Sequence, residues 1–192
     1  MMERLRVIRE LRHYVLKGSA AAVIVAGTIL SAFGLEVAAP FGFAWGPLDR
    51  VPKPSLALKD ANVTVLAYRR ERLPGNELAD TDIVLLDVCK KEGLQQVSWA
   101  GKALSSEEAS AKLVQLVALG VQKYGEAKPS DEGALGWNNG RIEILRVAGS
   151  GGEYRILMVH RGPDFETCAA EHDLASDQKL KTRWLQRIEF PN

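Results

Sequence analysis

Three histidines and two cysteines are all that 192 residues offer as imidazole bases, thiols and soft metal ligands. His13 sits in a basic segment ahead of a long apolar run, so His160 and His172 are the histidines left to a folded domain. Nucleophilic catalysis needs a base in reach of the nucleophile and a third group to orient that base. No Gly-x-Ser-x-Gly elbow accompanies either histidine. "AGSGG", Ala148 to Gly152, is glycine-rich, but it lies between two predicted strands and does not open a helix where backbone N–H groups cradle phosphate. Charge of one sign is scarce as well. The formal net charge is +1, and Arg4, Arg6, Arg9, Arg12 and Lys17 at the start leave 20 basic and 22 acidic side chains after Gly34. Phosphate backbones demand a cationic footprint, so nucleic acid is not an expected partner.

What the chain does have is one uninterrupted apolar run. Gly18 to Leu35 holds 18 residues without a charge, preceded by a basic segment. That length is at the short end of a bilayer span and somewhat long for a signal-peptide core. The basic flank keeps the amino terminus on the cytoplasmic side and sends the chain after Leu35 across the membrane. Ala32-Phe33-Gly34 suits cleavage before Leu35, while the 17-residue charged lead-in suits a retained single span, and both readings stand. No cysteine comes directly after the run, which excludes a lipoprotein anchor. Export across the inner membrane is the expectation, to a periplasmic or membrane-anchored state.

The chain divides into three parts: a leader over 1–35, a proline-rich linker or edge segment over 36–61, and a single domain over 62–192. Pro47, Pro52 and Pro54 fix φ and remove donors, as in extended or edge segments. "NVTVLAY", "DIVLLDVC" and "LQQVSWAG" read as strands from their β-branched, alternating content. Ser105 and Glu108 make a capping box for a helix whose apolar residues Ala109, Leu113, Leu116, Val117, Gly120 and Tyr124 recur with helical period. Gly125 and Pro129 end it. Asn139-Gly140 predicts a type I′ hairpin between "LGW" and "RIEILRV". "YRILMVH" is a further strand, and a helix is expected over 169–188 with Leu180, Trp184 and Ile188 on one face and Lys179, Lys181, Arg183 and Arg187 around them. The expected class is α+β: a mainly antiparallel sheet, one long central helix, and a carboxy-terminal helix, with the helices on one face. The order, strands then helix twice over, hints at a duplication.

Four sets of side chains invite a chemical reading. Cys89 and Cys168, a lone pair in an exported chain, predict a disulfide. His160, Cys168 and His172 fall within thirteen residues and form a candidate metal set, open only if Cys168 stays unbridged. Trp45, Trp99 and Trp137 are candidate binding aromatics, and Trp45 and Trp137 sit beside glycines that let backbone approach closely. Asn62-Val63-Thr64 has the form of a glycosylation acceptor, meaningful only in a eukaryotic secretory pathway.

"FGFAWG", "GLQQVSW", "QKYGEA" and "LGW…RIEIL…YRILMVH", spanning about Phe41 to Cys168, together resemble a pattern in small exported proteobacterial proteins. Those carry a Phe-Gly-x-x-Trp-Gly entry, a Lys-Tyr-Gly helix end and a tryptophan hairpin. The resemblance implies an envelope location and an α+β fold, and it carries no catalytic residues across.

The expectation is therefore a non-catalytic, periplasm-facing binding or interaction module without a cofactor, with an envelope protein or the membrane as its partner. Its binding surface is expected on the sheet face left open by the helices, or in a groove near the three tryptophans. Two alternatives remain: a hydrolase or metal-dependent enzyme using His160 and His172 with nearby carboxylates, and a structural accessory subunit held by Gly18–Leu35.

Overall fold

The computed structural model describes residues 38–48, 51–73, 80–130 and 133–175. The leader Gly18–Leu35 and the carboxy-terminal residues from 176 on, including Trp184 and its basic neighbours, lie outside the described residues. Among the described residues no helix is long and apolar enough to cross a membrane.

Among the described residues, eight strands form one antiparallel sheet. They are β1 (Leu56–Asp60), β2 (Val63–Arg69), β3 (Thr81–Cys89), β4 (Gly93–Gly101), β5 (Lys128–Pro129), β6 (Leu135–Trp137), β7 (Ile142–Ala148) and β8 (Tyr154–Arg161). Helix α1 (Ser106–Tyr124) separates β4 from β5, and α2 (Phe165–Ala175) comes after β8. The spatial order is β1-β2-β3-β4-β8-β7-β6-β5, so two four-stranded meanders meet where β4 pairs with β8. Each meander leads into a helix. The strand order is thus palindromic about the β4–β8 seam.

The helices do not share that symmetry. Side chains alternate between faces along a strand, and the register defines cross-strand rows. Leu86, Val97, His160, Ile142 and Trp137 form one row on the first face. Helix α1 packs there: Gly120 backs onto Trp137, and the Arg146 guanidinium donates to Ser110 Oγ at 2.8 Å. Leu85, Ser98, Val159 and Glu143 form a row on the second face. Cys89 shares that face, and its bond to Cys168 brings α2 to it. The helices therefore lie on opposite faces, which corrects the one-face expectation. The physical reason is legible in β3. Val84, Leu85 and Leu86 are consecutive and all buried, so both faces of the central strands need cover. Nor does α1 lie centrally: it packs on β6, β7 and β8.

The capping box at the start of α1 is formed. Ser105 Oγ accepts from the Glu108 N–H, and Glu108 Oε2 accepts from the Ser105 N–H at 2.9 Å. Ala109 and Leu116 are buried, and Leu113, Val117, Gly120 and Tyr124 are half-buried, so the expected apolar face turns inward. At the other end Gly125 takes a φ of 87°.

Three local details refine the sequence reading. Within the segment over 36–61 expected as a linker or edge, β1 forms the sheet edge, and Ala39 and Phe41 are buried. Five residues behind two prolines give too short an alternation to stand out as a strand. The hairpin after β6 spans four residues, since Trp137 pairs with Ile142, and Asn138, Asn139 and Gly140 all take positive φ. Helix α2 begins four residues earlier than expected, at Phe165.

Candidate functional site

The three tryptophans do not line a common groove. Trp99 is 2% exposed, and its indole N–H donates to Thr81 Oγ1 at 2.8 Å. Trp137 is 3% exposed and donates to the Gly125 carbonyl at 2.9 Å. Both are core residues with their polar tips satisfied internally, as buried indoles require. Trp45 is half-buried beside Gly162. That contact helps seat the amino-terminal segment, which is also held where the Leu94 N–H donates to the Gly46 carbonyl at 2.7 Å.

Cys89 and Cys168 are joined by a disulfide, with Cα atoms 6.0 Å apart and a sequence separation of 79. This removes Cys168 from the candidate metal set. The two histidines are not brought together either. His160 lies on the first face, where burial above all, and then the charge of Lys123, push its pKa down to about 4. His172 is buried in α2 on the other side, its Nδ1 3.1 Å from Asn62 Oδ1 and its Nε2 4.0 Å from Asp60. The described ligand-bearing atoms within 4.8 Å of one another are those of Cys89, Glu92 and Cys168, and the two sulfurs bond each other. Asn62 likewise has an internal use: its amide reaches the Cys168 carbonyl at 3.4 Å and its carbonyl faces His172. It fastens the β1–β2 turn to α2.

Sequence reasoning missed a polar belt on the second face. Asp87, Gln96 and Arg161 are cross-strand neighbours on β3, β4 and β8. Gln96 Nε2 donates to Asp87 at 2.8 Å. Arg161 donates to Glu143 at 2.8 Å and to the Gly140 carbonyl at 2.6 Å, with the Phe165 ring 5.1 Å from its guanidinium. Arg161 and Glu143 form an ion pair inside the belt, and the belt clamps the start of α2 to the β7 hairpin. Gln95 adds to the clamp: its side chain accepts from the Asp164 N–H at 2.9 Å and donates to the Glu92 carbonyl at 2.9 Å.

The outer face of α1 is different in kind. Val114 is 70% exposed, Leu119 55% and Val121 43%. Ala111 and Ala118 are exposed beside them. A surface helix ordinarily turns charge outward. Here Lys112 is the one charged residue from Ser110 to Gln122, and its ammonium is engaged by Asp80 at 2.7 Å. Single exposed apolar residues are normal on protein surfaces. Ala111, Val114, Ala118 and Val121, however, recur at intervals of three, four and three, which aligns them in one stripe along the helix. Its signal was present in "SAKLVQLVALGVQ", where apolar residues fill the outward positions as well as the inward ones.

No protein-family model, no curated protein and no solved structure gives a significant match to the chain.

Proposed function

We propose that this chain is an envelope-facing, non-catalytic interaction module, and that it docks its partner on the outer face of α1. The observation that carries the reading is the uncharged apolar stripe Ala111–Val114–Ala118–Val121, whose valines are 70% and 43% exposed. The apolar leader and the Cys89–Cys168 disulfide support an oxidising compartment outside the cytoplasm. Whether the leader is cut before Leu35 or retained as a span, the domain reaches the same side of the membrane. The resemblance to small exported proteobacterial proteins points the same way.

The test is affinity isolation from envelope extracts with the parent chain and with a Val114→Glu, Val121→Glu double variant. Both positions are solvent-facing, so the variant keeps the fold while planting two charges in the stripe. The reading expects a partner that the parent retains and the variant loses. Recovery of the same proteins by both, with unchanged circular dichroism, rejects it.

A further inference from the structure

We propose that the end of the sheet where β1 begins and β2 finishes binds the surface of a bilayer rich in anionic lipid, through the exposed cations Lys53, Arg69 and Arg72. This surface is separate from the outer face of α1, and the proposal holds whether or not α1 docks a partner.

The sequence concentrates positive charge here. Lys53 to Arg72 holds five basic side chains against Asp60 and Glu71, in a chain whose net charge is only +1. The fold then gathers the outer members of that stretch. The Ser55 N–H donates to the Ala67 carbonyl at 2.8 Å, so β1 starts beside the end of β2. A short 3-10 helix, Arg70–Arg72, follows β2, and the Arg72 guanidinium reaches back to the Pro54 carbonyl at 3.2 Å. Lys53, Arg69 and Arg72 are thereby collected at one end of the sheet, all of them exposed. Two acidic residues at this end are engaged by other cations. Asp80 is held by Lys112 at 2.7 Å and feels the charge of Lys102 and Arg70, and Asp82 is held by Arg155 at 2.6 Å. The other end lacks such an excess: Asp60, Glu92 and Glu171 stand with Lys90 and Lys91 there, and Lys91 meets Glu171 at 2.6 Å.

The path of the chain favours a membrane as the source of the anions. Phe43 packs against Tyr68 with ring centroids 6.2 Å apart, and the Tyr68 hydroxyl donates to the Pro52 carbonyl at 2.9 Å. The segment entering the domain therefore passes the cationic end. Leu35 and Phe43 are eight residues apart, and at most about 29 Å of chain joins them. A retained span tethers this end within that reach of the headgroups. Each Lys or Arg near an anionic bilayer surface strengthens binding about fivefold.

The test uses the full-length chain in vesicles of phosphatidylcholine, alone or mixed about three to one with phosphatidylglycerol. A donor fluorophore on Glu71→Cys reports energy transfer to a headgroup-attached acceptor, and Lys90→Cys at the other end is the control. The native cysteines are bonded to each other and are not labelled. Transfer from position 71 is expected to rise with phosphatidylglycerol, and position 90 shows no such gain. The gain disappears at about 1 M salt, where the Debye length is about 3 Å, and in a Lys53→Glu, Arg69→Glu variant whose circular dichroism is unchanged. Equal gains at both positions, or none at 71, overturn the proposal, as does a gain that survives salt or the double variant. Inorganic phosphate added at constant ionic strength should leave the gain intact. Its loss there assigns the cations to a soluble anion and equally overturns the proposal.

Discussion

The ring of Trp137 occupies the space that a side chain on Gly120 would need: a Cβ there would lie 2.5 Å from Trp137 Cζ2. The same indole donates to the Gly125 carbonyl at the end of α1. One aromatic therefore fixes both the height of the helix above β6 and the point at which it stops. The consequence is an α1 whose inner face and carboxy-terminal end are set by the same side chain.

Replacing Gly120 by Ala sets two effects against each other. Helix propensity favours Ala by roughly 1 kcal/mol. Overpacking against a ring in a filled core costs about 1–3 kcal/mol. The expected outcome is net destabilisation, seen as a lower urea midpoint with an altered Trp fluorescence maximum. A raised midpoint would mean that Trp137 yields at no cost.

His160 gives the fold a pH dependence whose sign is fixed. Its pKa is about 4 in the folded chain, depressed first by burial and then by Lys123, against an ordinary value of about 6.5 in the unfolded one. Between those values the unfolded chain binds the extra proton, so stability falls as pH drops from about 6.5 to about 4 and levels off below. The full span is on the order of 3 kcal/mol. Urea titrations at pH 7.5 and pH 4.5 should show a gap that shrinks by about 2–3 kcal/mol in His160→Gln. Carboxylate contributions are common to both chains and cancel in that comparison.

Reducing the Cys89–Cys168 bond, or replacing both residues by Ser, frees α2 from the second face. Closing a loop of this length contributes roughly 4–5 kcal/mol on chain-entropy grounds. We expect a loss of several kcal/mol in urea, together with loss of hydrogen-exchange protection in α2 well before β4 and β8. Uniform loss across all strands would mean that α2 and the sheet open as one unit.

Much of this architecture was legible in the sequence, and the exceptions share a cause. Ser105 and Glu108 announce the start of α1, because a capping box is a local geometry written in two residues. The alternation in "NVTVLAY" and "YRILMVH" announces strands for the same reason. The disulfide was expected from two cysteines and an expected compartment. The placement of α2 opposite α1 was not legible, because it depends on which face of β3 Cys89 occupies once the register is set. Gln96 and Arg161 also looked like ordinary strand polars until pairing made them neighbours. His160 and His172 looked close because they are close in sequence, but a strand and a helix on opposite faces separate them. The α1 stripe was readable; attention to the inward period concealed the outward one.

The most direct measurement is in-cell photo-cross-linking from Val114, with a photo-reactive residue at Lys59, an exposed position on edge strand β1 at the other end of the sheet from the strands under α1, as the control. A discrete adduct is expected from Val114 and none of comparable yield from Lys59, with the Val114 adduct abolished by Val121→Glu. Equal adducts from both positions, or none from Val114, would contradict the proposal that α1 is a docking surface.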